Sequence, residues 1–292
     1  MRILVTADLH YDIGRSRGPA VELAGKACAM GGDAIVLVGD CAGADLKLLR
    51  ECLGLFDSFS GGKFLVPGNH CLWRFDGESS MDRYERLVPQ VAADAGWEVL
   101  DRRPAVMGDL GLVGSIGWYD YGFADEALGV PLDFYRAKVA PGAAAYLGGY
   151  EDMLRLHEGS LTAKQMAIGA RWMDGVHVDL GMSDEAFTGL LCERLGAQLR
   201  QTATKVRRVA AFVHHLPFGE LVPAQRPARF AFAAAFMGSA AIGRTLAACP
   251  SVTHVYCGHS HWPDRRRIGA IEAINVGSTY IAKRLEVLEL GD

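Results

Sequence analysis

Five short apolar runs in this sequence end in residues that can ligate a metal, and this repetition constrains the fold more than any other feature. Continuous apolar runs rich in branched residues are typical of strands covered on both faces. The first three runs alternate with segments of helical composition. In open α/β sheets, sites are built where the carboxyl ends of neighbouring strands converge. The polar segments that follow the runs are Asp8-Leu9-His10, Gly39-Asp40, Gly68-Asn69-His70, His214-His215 and Gly258-His259-Ser260-His261.

The histidines are concentrated in these segments. Six of the nine lie there, and only His157, His177 and His254 are scattered. A chain without a shared site would scatter all of them in that way. In extended backbone, side chains at positions i and i+2 leave from the same face, so His259 and His261 can converge on a metal ion. The segments therefore predict one shared site, and imidazole, carboxylate and amide ligands without thiolate suit Mn²⁺, iron or Zn²⁺.

The remaining patterns predict the strands and helices of an α/β fold. Thr162 and Asp184 are the predicted N-caps of two of the helices. The expected strands are Arg2–Ala7, Asp33–Val38, Lys63–Pro67, Trp97–Leu100, Ala105–Met107, Gly111–Ile116, Val206–Val213, Val252–Cys257, Ala270–Val276 and Arg284–Leu290. The expected helices are Ala20–Met30, Leu46–Phe59, Met81–Ala95, Thr162–Asp174, Asp184–Thr202 and Phe232–Ala248.

The segment 117–204 is less regular than the rest of the chain. It opens with the aromatic run Trp118–Phe123, which we interpret as core of this region in preference to a wall of the site. The sequence contains no internal repeat, low-complexity tract or linker. We therefore predict a single domain, residues 1–292, with a cap-like elaboration at about 117–204.

Composition and charge narrow the functional classes. Half of the 292 residues are hydrophobic, so the chain can bury a sizeable core. The net charge of −4 provides no overall field that would attract nucleic acid. The seven cysteines are scattered without a C-x-x-C pair, no signal peptide precedes Ile3, and no apolar run is long enough to cross a membrane. These features predict a soluble cytoplasmic protein with reduced thiols.

The ordered segments resemble the motifs of the calcineurin-like metallophosphoesterase family, which are D-x-H, G-D, G-N-H, H and G-H-x-H. They span Asp8 to His261, nearly the whole chain. The resemblance implies a four-layer αββα sandwich with two mixed β-sheets and a centre of two divalent metal ions. It also implies that Asp40 bridges the two ions. The implied ligands are Asp8, His10, Asp40 and His261 for the first metal, and Asp40, Asn69, His214 and His259 for the second.

By the same resemblance His70 is the candidate catalytic residue, because it follows the ligand Asn69 as the family's catalytic histidine does. It would donate a proton to the leaving oxygen or hold the phosphate, and the alternative is that it only supports a ligand. His214 is chosen as the ligand over His215, which would lie behind the ligands or on the substrate side. Arg74 lies in a loop after this motif and can meet the substrate phosphate.

Three departures from the family pattern bear on activity. Cys71 stands where members often have an acidic residue that steadies the catalytic histidine. Gly43 stands where many members carry Asp or Asn, and the Asp-Arg-Gly continuation of the Ser/Thr protein phosphatases is absent after Gly39-Asp40. These departures argue against a protein phosphatase, whereas the seven implied metal ligands are all present.

The resulting hypothesis is a dinuclear metal-dependent phosphoesterase. A metal-bridging hydroxide would attack the phosphorus in line, and phosphodiester hydrolysis is preferred over monoester hydrolysis. The expected substrate is a small phosphorylated compound such as a nucleotide. The alternatives are a DNA nuclease or a phosphomonoesterase of the same fold and, in another class, a non-catalytic protein-interaction scaffold. A scaffold would be expected to lose ligands, and this chain retains them.

Overall fold

The computed structural model describes residues 1–75, 77–224 and 227–291. Within them the strands are β1 (Arg2–Thr6), β2 (Ala34–Val38), β3 (Gly62–Val66), β4 (Glu98–Val99), β5 (Ala105–Met107), β6 (Leu110–Ser115), β7 (Arg208–Val213), β8 (Val252–Cys257), β9 (Asp264–Ile268), β10 (Ile271–Asn275) and β11 (Glu286–Glu289). They form a first sheet with the order β11-β1-β2-β3-β4 and a second sheet with the order β5-β6-β7-β8-β10-β9.

Both sheets are mixed. In the first sheet β1 to β4 are parallel, and β11 pairs with β1 in the antiparallel direction. In the second sheet β6, β7, β8 and β10 are parallel, and the edge strands β5 and β9 are antiparallel to their neighbours. Parallel neighbours require long crossover connections, and helices supply these between β1, β2 and β3. The parallel strands therefore present their carboxyl ends at a common edge.

Side chains along the strands alternate between two apolar layers. Ile3 and Val5 of β1 belong, with Phe212 of β7, to the cluster between the two sheets. Leu4 and Leu37 belong to the cluster that the helices cover. Because successive side chains point to opposite faces of a strand, wholly apolar strands must be covered on both faces. The architecture is the four-layer α/β/β/α sandwich that the family resemblance implied.

Helices cover the outer faces of both sheets. The described helices are α1 (Gly14–Met30), α2 (Leu46–Gly54), α3 (Asn69–Leu72), α4 (Ser80–Asp82), α5 (Val88–Asp94), α6 (Leu132–Arg136), α7 (Pro141–Leu147), α8 (Glu151–Leu156), α9 (Ala163–Met166), α10 (Asp174–His177), α11 (Asp184–Ala203), α12 (Ala228–Ala233) and α13 (Ala240–Ala247). α2 and α5 pack together beside the first sheet, and α11 packs on β6 and α13 beside the second. Across the described part of the chain, no helix combines the length and apolarity needed to span a membrane.

Most of the predicted elements are confirmed. Every predicted strand is present, with ends that differ by at most two residues. The basic run Arg265–Arg267 is exposed and lies on the edge strand β9, which was not among the predicted strands. Helix α1 begins at Gly14, six residues earlier than predicted, and α2 ends at Gly54, five residues earlier than predicted.

Two predicted helices are wrong in extent. The expected helix Thr162–Asp174 is helical only over Ala163–Met166 before a separate short helix starts at its far end. The expected helix Phe232–Ala248 is interrupted at Gly238, where φ is 154°. A Cβ at Gly238 would lie 2.0 Å from the carbonyl oxygen of Leu216. Tertiary pairing with this neighbouring segment therefore overrides the helical composition.

One of the two predicted helix caps is also wrong. Thr162 does cap α9 through its side chain, as predicted. The N-cap of α11 is Ser183, whose hydroxyl accepts the backbone N–H three residues later at 3.1 Å. Asp184 instead is the first residue of the helix and is buried, and its carboxylate accepts a hydrogen bond from the indole of Trp118 at 2.7 Å.

Residues 117–204, here called the inserted segment, consist of short helices and loops followed by the long helix α11. Trp118 and Tyr119 are fully buried, and Tyr121 is nearly so. Trp118 contacts Phe187 of α11 edge-on, with ring centroids 5.5 Å apart. Much of the aromatic run is therefore core of this region, as the sequence predicted.

Candidate metal centre

The loops after β1, β2, β3, β7 and β8 meet where the carboxyl ends of the two sheets come together. They bring the predicted ligand side chains into three overlapping groups, and within each group the ligand atoms lie within 4.8 Å of one another. Since His10 and Asp40 each belong to two groups, the three form one continuous cluster. The groups are Asp8 with His10 and His261, His10 with Asp40 and His70, and Asp40 with His214 and His259.

The backbone of this cluster is strained. Five candidate ligands have φ angles in the left-handed region, which costs a residue with a side chain about 1–3 kcal/mol and persists only where the surroundings enforce it. Backbone hydrogen bonds from Asp8 to Gly39 at 3.1 Å and from His10 to Asp40 at 2.8 Å help to enforce it. Such strain is concentrated at functional sites. The five residues are Asp8 (57°), His10 (44°), Asp40 (49°), His259 (68°) and His261 (58°).

Two glycines allow the ligands to approach the backbone closely. A Cβ at Gly39 would lie 2.1 Å from Nδ1 of His214. A Cβ at Gly68 would lie 2.1 Å from Oδ1 of Asp40. No side chain fits at these distances, so glycine at both positions is a requirement of the site.

The first ligand group consists of Asp8, His10 and His261. The Nε2 atoms of the two histidines lie 3.3 Å apart. Asp8 is fixed by the backbone N–H of His259, which donates to its two carboxylate oxygens at 3.0 and 3.2 Å. The Nδ1 atoms of His10 and His261 are buried without a hydrogen-bond partner among the described residues. Imidazole nitrogens that face one another in this way are suited to a shared cation.

The second ligand group consists of Asp40, His214 and His259, with Asn69 beside them. Nδ1 of His214 donates to the carbonyl oxygen of Val38 at 3.0 Å. Its Nε2 therefore points inward, 3.3 Å from Oδ2 of Asp40 and 3.3 Å from Oδ1 of Asn69. The oxygen of an amide, the oxygen of a carboxylate and an imidazole nitrogen converge there.

His259 is fixed through its other ring nitrogen. Its Nε2 donates to the carbonyl oxygen of Phe236 at 3.1 Å. Because Nε2 carries the proton, Nδ1 has a free lone pair and is the candidate ligand atom. Carbonyl partners of this kind set the tautomer of metal-binding histidines.

The electrostatics of the cluster favour cation binding. Burial would raise the pKa of Asp40, but His214 and His70 hold it well below its usual range. Burial lowers the pKa of His10 well below 6.5 despite the attraction of Asp40. Burial, together with the neighbouring imidazoles, also lowers the pKa of His259 well below 6.5. Asp40 is therefore ionised and these two imidazoles neutral at pH 7, which are the forms that bind metals.

His214 and Asp8 shift in the opposite direction. Burial would lower the pKa of His214, but the attraction of Asp40 raises it to about 9. Burial raises the pKa of Asp8, although His261 and His214 oppose that shift. His214 therefore carries a proton at neutral pH in the metal-free protein, and a cation that binds there must displace it.

His70 lies on the open side of the cluster. Its side chain is 16% exposed, and its Nε2 lies 3.9 Å from Oδ2 of Asp40. Its backbone N–H donates to Oδ1 of the same carboxylate at 3.0 Å. The indole of Trp73 stacks on its ring with centroids 3.8 Å apart and an interplanar angle of 20°. A partly exposed imidazole held against the ligands in this way can exchange a proton with a bound substrate.

His215 and Arg74 have different surroundings. His215 is buried behind the ligands, with its ring centroid 4.2 Å from that of His259. Its Nδ1 donates to the carbonyl oxygen of Ile116 at 3.0 Å, and burial lowers its pKa to about 3. Arg74 is partly exposed, and its Nη2 lies 3.7 Å from Oδ2 of Asp179. Of the two side chains, only that of Arg74 is accessible to solvent.

Tyr280 and Asp174 contact the cluster and were not predicted as site residues by the sequence analysis. The ring of Tyr280 lies 5.0 Å from that of His10 and 4.8 Å from that of His261. Asp174 of the inserted segment accepts a hydrogen bond from the amide of Asn69 at 2.9 Å. Tyr280 follows the end of β10, as the ligands follow their own strands, so its position carried a usable signal. Asp174 follows no strand, and nothing in the sequence marks it.

The residues of the cluster fit divalent metal ions. They offer carboxylate, imidazole and amide ligand atoms, and the Nε2 atoms of His10 and His261 face each other 3.3 Å apart. The neighbouring thiols Cys41, Cys71 and Cys257 are buried and belong to none of the ligand groups. A ligand set of this composition is typical of Mn²⁺, iron or Zn²⁺.

No protein-family profile matches the sequence, and no curated protein matches it. Several solved structures do match the fold. The phosphopantetheinyl hydrolase of Mycobacterium tuberculosis aligns over 96% of this chain and 89% of its own, with a TM-score of 0.68 and 16% identity. A dimetal phosphatase from Danio rerio aligns over 98% of this chain and 91% of its own, with a TM-score of 0.56 and 16% identity.

A third structure shows the range of proteins that share this architecture. GAP50, the anchor in the inner membrane complex of Plasmodium, aligns over 99% of this chain and 81% of its own, with a TM-score of 0.51 and 9% identity. Identities this low establish the fold, and function has to be argued from the site. The chain therefore has the metallophosphoesterase fold that the resemblance implied, with a cluster of aspartates and histidines at its sheet edge that fits divalent metal ions.

Proposed function

We propose that this protein is a dinuclear metal-dependent phosphoesterase that prefers phosphodiesters to phosphomonoesters. The observation that carries the proposal is the overlap of the three ligand groups, whose atoms lie within 4.8 Å in each group. A carboxylate that lies between two cations can bind both, and Asp40 shares one group with His10 and another with His214 and His259. The fold shared with a dimetal phosphatase supports the same conclusion.

Each metal would take ligands from both sheets. When bound, two divalent cations neutralise charge on the phosphoryl oxygens and lower the pKa of a bound water. The protein's part is to fix the ligands, and the strained loops and paired imidazoles described above do so. The proposed ligands are Asp8, His10, Asp40 and His261 for the first metal, and Asp40, Asn69, His214 and His259 for the second.

His70 is the proposed proton donor to the leaving oxygen. Its Nε2 is turned toward Asp40 and the ligands, and its side chain is 16% exposed. Stacking on Trp73 restricts rotation of the ring, so Nε2 stays on that side. General acid catalysis by a positioned histidine contributes about 10²–10⁴-fold to a rate.

The proposed substrate is a small phosphorylated compound. A net charge of −4 does not favour a nucleic acid, and one structural neighbour is named a phosphopantetheinyl hydrolase. Arg74 is the proposed phosphate contact, because its side chain is 25% exposed and it follows the proposed proton donor His70 by four residues. Its ion pair with Asp179, at 3.7 Å, is loose enough for an anion to replace.

We further propose that residues 1–292 act as one domain. The buried residue Trp118 of the inserted segment belongs to the same apolar cluster as Leu4 of β1. Asp174 of that segment also contacts the proposed ligand Asn69. A segment that shares both its core and the site with the sheets is not a separate domain, because a domain has a hydrophobic core of its own.

The test compares ligand variants with the wild-type protein in Mn²⁺. Asp40→Ala and Asn69→Ala should hydrolyse bis-p-nitrophenyl phosphate far more slowly than the wild type does. Because Asp40 would bridge both metals, its variant should be the slower of the two. The diester preference is checked with p-nitrophenyl phosphate as the monoester. Wild-type rates in both variants would show that the site has been assigned wrongly.

A further inference from the structure

Asp174 is a buried carboxylate of the inserted segment that accepts four hydrogen bonds. It is 1% exposed. Its Oδ1 accepts from Nδ2 of Asn69 at 2.9 Å and from Nε1 of Trp73 at 2.6 Å. Its Oδ2 accepts from Nε1 of Trp172 at 2.8 Å and from the hydroxyl of Tyr119 at 3.1 Å. Two acceptor sites on each oxygen are therefore filled by donors on both sides.

We infer that Asp174 is a positioning residue that fixes the amide of Asn69 with its oxygen toward the second metal. This inference rests on the proposed function, because it takes Asn69 as a ligand. An amide has a donor end and an acceptor end of nearly the same shape. A carboxylate can only accept, so it selects the orientation in which Nδ2 faces Asp174. The opposite atom, Oδ1, then lies 3.3 Å from Nε2 of the proposed ligand His214.

Oδ1 of Asp174 also positions Trp73, which supports His70. The indole that donates to Asp174 belongs to Trp73, which stacks on the ring of His70 at 3.8 Å. The other face of Trp73 stacks on His177, at 4.5 Å. Through one oxygen atom, Asp174 therefore holds both the proposed ligand Asn69 and the indole on which the proposed proton donor His70 stacks.

The second oxygen reaches the opposite side of the metal centre. Trp172, which donates to it, stacks on Phe236 with centroids 5.2 Å apart and contacts the ring of His259 at 5.6 Å. The carbonyl oxygen of Phe236 is the acceptor that orients His259. Asn69 and His259, both proposed ligands of the second metal, are thus connected through Asp174. The first ligand group has no such connection among the described hydrogen bonds.

Asp184 provides a matched control within the same segment. It is also a buried carboxylate, at 6% exposure, and accepts from the indole of Trp118 at 2.7 Å and from the hydroxyl of Tyr121. It also forms an ion pair with Lys138. None of these partners is a proposed ligand. Replacing Asp184 removes a comparable buried network without touching the metal centre.

The experiment is a calorimetric Mn²⁺ titration of Asp174→Asn, Asp184→Asn and the wild-type protein. Loss of an outer partner of a metal ligand typically weakens metal binding by about 10–100-fold. We expect that loss for the second Mn²⁺ in Asp174→Asn, with the first Mn²⁺ unaffected. Asp184→Asn should bind both ions as the wild type does. Equal affinities in all three proteins would overturn the inference and leave the proposed function intact, whereas a wild type that binds no Mn²⁺ would overturn both.

An exchanged pair keeps the inference testable if Asp174→Asn alone does not fold. In Asn69→Asp/Asp174→Asn the amide and the carboxylate trade places, so the hydrogen bond runs in the reverse direction and an oxygen still faces the metal. The indole of Trp73 loses its acceptor in this protein. Residues in direct contact give non-additive effects, whereas independent ones add. We expect the exchanged protein to bind two Mn²⁺ ions, and to bind the second more tightly than Asn69→Asp does. A single bound Mn²⁺ in the exchanged protein would contradict the inference.

Discussion

The strand-end loops and the inserted segment contribute to the same centre by different means. The loops provide the candidate ligand atoms on strained backbone, as at Asp8 and His259. The inserted segment contributes no residue to the three ligand groups. It contributes Asp174 and Trp172, which hold ligands from behind. Each loop therefore sets locally which candidate ligands it presents, whereas the orientation of Asn69 and His259 depends on packing from a distant part of the chain.

Removal of the metal should have the largest effect on activity, and it tests the strand-end loops, which carry the candidate ligands. After dialysis against a chelator we expect kcat/KM for bis-p-nitrophenyl phosphate to fall by about 10³-fold or more, because metal-derived stabilisation of the transition state is worth several kcal/mol. Adding Mn²⁺ back should restore it. Steady-state kinetics before and after reloading measure this. Full activity in the chelator-treated protein would contradict a metal-dependent reaction.

His70→Asn tests the loop side of the stack formed by His70, Trp73 and His177, in which His177 belongs to the inserted segment. We expect kcat to fall by about 10²–10⁴-fold, because the proton donor is lost while the ligands remain. The control is His177→Asn on the far side of the same indole, which should lower kcat by less than about tenfold. Kinetics with Mn²⁺, together with metal analysis, measure both. Equal losses in the two variants would mean that His70 acts only through the aromatic stack.

Asp184→Asn tests the inserted segment where it does not touch the centre. The change weakens a buried network with Trp118 and Tyr121, and we expect the free energy of unfolding to fall by about 1–3 kcal/mol. Urea unfolding of the metal-free protein measures it. The value of kcat/KM in Mn²⁺ should stay at the wild-type level. A large loss of activity without a loss of stability would show that the segment couples to the centre through this network too.

The pH dependence of metal binding depends on His214. Its folded-state pKa of about 9 means that it is protonated below that pH and must release the proton when a cation binds. Apparent affinity at this position should therefore rise as the pH rises, by about tenfold per unit, and level off above pH 9. Calorimetric Mn²⁺ titrations at several pH values, in buffers of different ionisation enthalpy, measure the affinity and the proton release. Affinity that does not change between pH 7 and 8 would contradict this assignment.

The sequence was informative wherever a strand delivers a side chain directly. The apolar runs end at the residues that begin the site, so Asp8 and Asn69 could be placed at one sheet edge without knowledge of the tertiary structure. Carboxyl ends of parallel strands converge in any sheet of this kind, and no further information was needed. The ligand cluster was predictable for that reason, whereas the four-layer fold was predicted from the resemblance of the motifs to the metallophosphoesterase family.

The sequence was uninformative wherever a role depends on packing between distant segments. Asp174 lies 105 residues from Asn69, which it contacts, and the composition around it predicted part of one long helix. Gly238 lies in an alanine-rich run that reads as helix, but pairing with Leu216 breaks it. Asp184 has the residue type of a helix cap, yet it lies one residue inside the helix and its carboxylate accepts hydrogen bonds from buried donors. Tertiary partners decide such cases, and one sequence does not reveal them.

Anomalous diffraction from crystals loaded with Mn²⁺ tests the central claim most directly, namely that the strand-end loops hold two metal ions with His259 and His261 on different ones. The account predicts two anomalous peaks per chain. One should be bound by Asp8, His10 and His261, and the other by Asn69, His214 and His259, with Asp40 between them. A single peak bound by both His259 and His261 would contradict the account.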